Sequence, residues 1–285
     1  MANIILSAFS DEFSSDFDAQ ITALNKFGIP LMEIRGVSDT NVGDLTECQA
    51  KEAAEKLRAG GIGLSAIGSP IGKIKITDPM DEHIEKLKRV INTAHILGTD
   101  RIRMFSFYMP GETTDYSPYK NEVIDRLGMM LDVADKENIY LCHENEKGIY
   151  GDTPENCLEI LNAFDGRLKC VFDPANFVQR HVEVYPHAFG MLEDKLFYLH
   201  IKDADETGEI CAAGEGIGCI KDVLRAANKR DGDLVVTLEP HLWEFSGLAG
   251  LEAGEKTQIT NKYPDAETAF AAGVEALRKC IDEIR

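Results

Sequence analysis

An α/β chain folding as a (β/α)8 barrel, one domain over residues 1–285, is what this sequence predicts. Three observations predict it. Short apolar, β-branched runs recur roughly every 30–40 residues, about the length of a strand–helix unit. Amphipathic helical patterns fill the intervals between them. No linker, low-complexity tract or shift of composition divides the chain. Parallel strands each followed by a helix close most simply into a barrel. An open doubly wound sheet is the alternative, but it calls for a Gly-rich turn after the first strand, and "LSAFSDEFSSD" has no glycine.

In order, the eight runs are "NIILSAF" (3–9), "LMEIRGV" (31–37), "GLSAIGS" (63–69), "RIRMFSF" (101–107), "IYLCHEN" (139–145), "LKCVFDP" (168–174), "LFYLHIKD" (196–203) and "LVVTLEP" (234–240). Between them, "TECQ" at 46–49 forms a capping box ahead of Ala50, Ala53, Ala54 and Leu57. "DPMDEHIEKLKRVINTAHILG" starts with acids, ends at Gly98 and lines Ile84, Leu87, Ile91 and Ala94 on one stripe. "DTPEN" supplies Thr153 as a cap with Pro154 at the first helical position. A helix over 184–193 has the weakest pattern. The last, about 266–284, places Phe270, Val274, Leu277 and Ile281 on one face.

Alternate side chains of a barrel strand face the helices and the interior in turn. In the seventh run Phe197, Leu199 and Ile201 form the helix-facing row, so Tyr198, His200 and Lys202 point inward. The same alternation turns Glu144 inward in the fifth run, Asp173 in the sixth and Glu239 in the eighth. Each stands at the C-terminal end of its strand, the end where barrel active sites lie. Ionisable groups at the end of a core strand are costly unless something needs them. Three carboxylates packed together repel and desolvate one another unless a cation neutralises them. Glu144, Asp173, His200 and Glu239 are therefore the expected ligands of one divalent metal ion. Three oxygens and an imidazole suit Mn²⁺, Mg²⁺, Co²⁺ or Zn²⁺.

Composition narrows the partners. A net charge of −19 repels phosphate backbones and anionic lipid, so neither nucleic acid nor a membrane surface is expected. A small phosphorylated substrate stays open, because a few local cations can hold one. The seven cysteines show no CxxC spacing and read as reduced thiols. "MANIILSAFSDEF" lacks the basic start of a secretory signal, and no apolar run approaches the roughly 20 residues of a membrane span. The expected location is cytoplasmic.

At these residues the chain resembles the xylose-isomerase-like family of sugar and sugar-phosphate isomerases and epimerases. The resemblance runs from "SAFSDE" and "LMEIRGV" through "CHENEKGIYGDTPE", "CVFDPANF" and "HIKDADE" to "VVTLEPH". It implies that Glu144, Asp173, His200 and Glu239 bind one divalent ion. It also implies chemistry that moves a proton at a carbon beside a carbonyl. There a metal polarises the substrate oxygens and stabilises an enediolate, while carboxylates remove and return the proton. Glu144 and Glu239 are the candidate acid/base pair, and a small sugar or sugar phosphate is the expected partner. Homo-oligomers are common among such barrels, and one is expected here by analogy. A metal-dependent dehydratase of a cyclic polyol ketone, inosose- or dehydroshikimate-type, shares the first proton abstraction and is the alternative. A non-catalytic sugar-binding barrel would not require both glutamates. The family's DNA-repair endonucleases need a basic surface, which this chain lacks.

Two positions depart from the family's ketohexose epimerases. Three residues after Asp173 they carry His where this chain has Asn176, and six after His200 they carry Arg where it has Glu206. Many members also carry His where this chain has Glu146. Asn176 remains a substrate-binding candidate. With it stand Lys202, which a salt bridge to Glu239 or Asp173 would also explain, and His241. Glu33 and Arg103 share the interior as an ion pair or as binders of a substrate hydroxyl. Lys73 lies in "GSPIGKI" after the third strand, within reach of a substrate. "GEGIG" (214–218) has the look of a phosphate loop, but Glu215 inside it favours a turn. "HLWEF" (241–245) belongs to the rim or to an oligomer contact.

Overall fold

A computed structural model describes residues 1–111, 115–245, 259 and 262–285. Its strands are β1 (Asn3–Ala8), β2 (Leu31–Ile34), β3 (Gly63–Gly68), β4 (Arg101–Met104), β5 (Tyr140–Glu144), β6 (Lys169–Phe172), β7 (Leu196–Ile201) and β8 (Asp233–Leu238). They run parallel and pair in chain order, and β8 returns to β1 in a register from Asn3↔Asp233 to Ala8↔Leu238. The barrel is closed, as the spacing of apolar runs predicts.

Closure follows from two apolar layers. The helix-facing rows (Ile102, Leu141, Phe172, Leu199 and Val236 among them) pack with the surrounding helices into one large core. Inside the barrel, Ala66, Cys142, Val171, Tyr198 and Val235 form a separate small cluster. That cluster floors the polar groups above it, so the chamber at the C-terminal ends rests on packed side chains rather than on an open channel.

Helix signals are realised where the sequence placed them, with α1 (Phe17–Lys26) following β1 and α4 (Lys120–Ala134) following β4. The Thr46 capping box opens α2 (Glu47–Gly60). Gly98, at φ +82°, closes α3 (Met80–Leu97). Thr153 caps α5 (Pro154–Ala163), and Asp265 caps the last helix (Ala266–Asp282). The segment 184–193 is helical but irregular. Tyr185 is extended (φ −137°, ψ 131°), and helical turns continue through Phe189–Leu192 and Glu193–Lys195.

Every barrel strand is shorter than its apolar run, and at three of them the chain beyond the strand takes up a distinct course. The run 31–37 leaves the barrel after Ile34, and Gly36–Val37 pairs instead with Thr40–Asn41. The run 101–107 leaves after Met104, with Phe107 at φ +66°. The run 196–203 leaves after Ile201, and Asp203–Ala204 forms a ribbon with Ile210–Cys211. In each case the residues beyond the strand build the rim of the chamber.

Candidate metal centre

Glu144 is the last residue of β5, Asp173 follows β6, His200 lies within β7 and Glu239 follows β8. Strand register sets their height: His200 is level with Thr237, and the Glu239 N–H donates to Ile201 O at 3.0 Å. One donor atom from each of the four lies within 4.8 Å of the others, and all four residues are buried. Asp173 also caps the short helix Pro174–Val178, its Oδ1 accepting from Asn176 N–H at 3.1 Å. That turn fixes one oxygen and leaves Oδ2 facing the cluster.

His200 sits at the centre. Its Nδ1 lies 3.0 Å from Glu144 Oε1 and 3.4 Å from Glu239 Oε2, and its Nε2 lies 3.0 Å from Glu33 Oε2. Each glutamate carries an arginine on its far side. Arg35 Nη1 donates to Glu239 Oε1 at 2.9 Å, and Arg103 Nε lies 3.2 Å from Glu144 Oε2. Lys202 Nζ is 3.1 Å from Asp173 Oδ2 and 3.8 Å from Glu239 Oε2.

Buried carboxylates outnumber the arginines and lysines. Among the described residues, Glu12, Glu33, Glu144, Asp173 and Glu239 are buried around the cluster against Arg35, Arg103 and Lys202, and His200 adds a positive charge when protonated. Burial, reinforced by Glu144 and Glu239, pushes the Asp173 carboxyl up to about 7 against the pull of Lys202. Burial also opposes ionisation of Glu239, but Lys202, His241 and His200 hold it well below the usual carboxylate range. Against the cost of burial, Glu144 and Glu33 lift His200 well above an ordinary imidazole. Asp173 Oδ2 and Glu239 Oε2 are buried without a hydrogen-bond partner, although Lys202 stands close to both.

An excess of buried carboxylates over arginines and lysines, two buried oxygens without a hydrogen-bond partner and a three-oxygen, one-nitrogen donor set together fit a divalent cation. Glu144, Asp173, His200 and Glu239 are the residues that would hold it.

The remaining sequence candidates divide. Asn176 Nδ2 lies 3.4 Å from Glu144 Oε1 and donates to Asn145 O at 2.8 Å. Lys73 is 3.3 Å from Glu146 and lies over the Phe105 ring, and burial lowers its pKa while Glu146 opposes the fall. The pairing of Glu33 with Arg103 is long, at 4.0 Å. His241 is turned to Glu12, with Nδ1 at 2.9 Å from Oε1 and its backbone N–H donating to Oε2 at 2.7 Å. His143, which alternation turns toward the helices, sits 2.9 Å from Ser106 Oγ, outside the cluster.

The "GEGIG" loop is already filled. The N–H groups of Gly214, Gly216 and Gly218 all donate to the Asp203 carboxylate, at 2.8, 3.1 and 2.9 Å. The turn reading therefore holds, and the cradle's anion is internal.

Sequence reasoning missed a second ring behind Glu239. Arg35 is bound by Asp11 at 2.8 Å, Glu12 at 3.1 Å and Glu239, and its guanidinium lies between the Phe9 and Phe245 rings at 4.4 and 4.6 Å. Phe9 also meets the His200 ring edge-on at 5.2 Å. Phe245 comes from "HLWEF", which thus reaches the site, whereas 246–258 lie outside the described residues. The available signal was "SAFSDEF", an apolar run that ends in acids as the fifth, sixth, seventh and eighth runs end in ionisable residues.

The profile of the xylose isomerase-like TIM barrel family matches residues 21–280. No curated protein matches the chain by sequence. Among solved structures, the probable 3-DHS dehydratase AsbF of Bacillus anthracis is 16% identical with a TM-score of 0.72, covering 98% of this chain and 99% of its own. The D-psicose 3-epimerase of Clostridium cellulolyticum H10, solved with D-tagatose, is 14% identical with a TM-score of 0.71 and full coverage of both chains. The IolI protein, solved with a zinc atom, is 16% identical with a TM-score of 0.69, covering 99% of this chain and 97% of its own. At these identities the likeness is one of fold.

Proposed function

Because the chain belongs to the xylose isomerase-like TIM barrel family, we propose that it is a divalent-metal-dependent isomerase or epimerase of a small sugar, sugar phosphate or polyol ketone. The observation that carries this reading is the pair of buried glutamates flanking His200 Nδ1, at 3.0 and 3.4 Å, inside a buried set of four metal-type donors that lie within 4.8 Å of one another. Residues 1–285 act as a single barrel domain. A bound divalent cation (Mn²⁺, Mg²⁺, Co²⁺ or Zn²⁺) supplies Lewis-acid polarisation of the substrate oxygens.

The protein's own residues do the rest. Glu144 and Glu239 take and return the proton at the carbon beside the carbonyl. Arg35 and Arg103 hold the far oxygen of each glutamate, so each presents its other oxygen to the chamber. Asn176, beside Glu144, offers a neutral amide to a substrate hydroxyl. Lys202 and Lys73 stand at the mouth as charged donors, each with a carboxylate beside it. The scattered spacing of the seven cysteines, without a CxxC pair, favours a reducing compartment, the cytoplasm.

Incubation with Mn²⁺ and a panel of ketoses in D₂O tests the reading by mass spectrometry. Solvent deuterium is expected at the carbon next to the carbonyl of a turned-over sugar, and a dehydratase would in addition show loss of water. A protein that binds ketose without exchanging deuterium would contradict the catalytic assignment.

A further inference from the structure

Glu33 is turned toward Tyr198 and His200. It lies on β2, where the pairing with β3 shifts register between Met32 and Glu33, and it is 1% exposed. Its Oε2 is 3.0 Å from His200 Nε2, and its Oε1 accepts the Tyr198 hydroxyl at 2.9 Å. Both carboxylate oxygens are thereby committed within the barrel. Tyr198 and His200 project from the same side of β7, so the strand's own alternation brings the clamp and the imidazole to Glu33 together.

An imidazole that binds a cation presents a bare nitrogen lone pair to it, and a neutral ring has one N–H to place on the other nitrogen. A carboxylate can only accept, so Glu33 draws that N–H to Nε2. Nδ1 is then the bare nitrogen, and it is the one that faces Glu144 Oε1 and Glu239 Oε2. Phe9, edge-on at 5.2 Å, and the Tyr198 ring at 5.5 Å restrict the tilt of the imidazole from its two sides.

We infer that Glu33 is a positioning residue for the metal ligand His200, fixing its N–H on Nε2 and its lone pair toward the cation, with Tyr198 holding Glu33 in place. This role stands beside the two weighed from the sequence, the ion pair with Arg103 and the substrate hydroxyl, and it rests on the metal reading above. Carboxylates in this position behind a ligand histidine are worth about 10–100-fold in metal affinity.

Titration with Mn²⁺ by calorimetry, with thermal melts as the control for folding, tests the inference on Glu33→Ala, Glu33→Gln and Tyr198→Phe. Glu33→Ala is expected to weaken binding about 10–100-fold. Glu33→Gln should recover most of the loss, because its amide oxygen still accepts from Nε2–H, and Tyr198→Phe should fall between wild type and Glu33→Ala. Affinity in Glu33→Ala within about twofold of wild type, or Glu33→Gln no better than Glu33→Ala, would overturn it. A wild-type protein that binds no divalent metal would remove the underlying reading and this inference with it. Asp173→Ala separates the two cases, since it should lose metal whatever Glu33 does. If Glu33→Ala does not fold, proton spectra of the Co²⁺-loaded wild type decide. A strongly shifted exchangeable Nε2–H supports the inference, and its absence contradicts it.

Discussion

Arg35 shows how far a single side chain can tie the chamber together. It is buried between two aromatic faces and answers carboxylates from the loop after β1 and from the end of β8. Without it Asp11, Glu12 and Glu239 would crowd together with no arginine among them. Removing one partner of a buried ion pair costs about 3–5 kcal/mol, because the other charge stays buried and unanswered. Arg35→Met should lower unfolding stability by about that much in urea denaturation, and a change below about 1 kcal/mol would show that the network is loosely held. At this scale, period-two alternation made the inward residues legible, since it is a local property of each strand. The partners were not. His200 and Glu33 are 167 residues apart, and Arg35 and Glu239 are 204 apart, so no window of sequence shows that they meet.

Elements carry the next layer, in the loops that leave the strands. The loop after β3 is pinned from behind by α3: the Gly72 N–H donates to His83 Nε2 at 2.8 Å. Gly72 sits at φ +87° with a would-be Cβ 2.0 Å from Phe105 O, so glycine is required there. The pin holds Lys73 over the mouth. Burial, with Lys86 and Arg126 adding repulsion, lowers the His83 pKa from 6.5 to about 4. The unfolded chain therefore takes up a proton below about 6.5 that the folded chain refuses until about 4, so this contribution to stability falls as pH drops through that window. The ceiling is about 3 kcal/mol. Urea midpoints measured from pH 7 to pH 4 should fall for the wild type and fall less for His83→Gln, whose amide oxygen can still accept from Gly72. Equal slopes would exclude His83 as the source. Apolar runs overstated the strands because their pattern continues into rim residues such as Phe105 and Val37, which are buried or half-buried but have left the barrel. "GEGIG" was legible as a turn; its anion, Asp203, precedes the loop by about a dozen residues and was not.

Over the whole molecule, the acidic surface and the closed barrel set the conditions for the site. The chamber's arginines and lysines answer carboxylates nearby, and buried carboxylates outnumber them around the cluster. The fold was legible because strand–helix recurrence is a property of the entire chain, repeated often enough to outweigh the weak segment at 184–193. The site was legible because strands that close in chain order place their C-terminal ends in one ring, so residues at four successive ends must converge. Anomalous diffraction from crystals soaked in Mn²⁺ addresses that convergence most directly. One strong peak is predicted within coordination distance of Glu144, Asp173, His200 and Glu239 together, and its absence in a well-ordered chamber, or a sole peak elsewhere, would contradict the account.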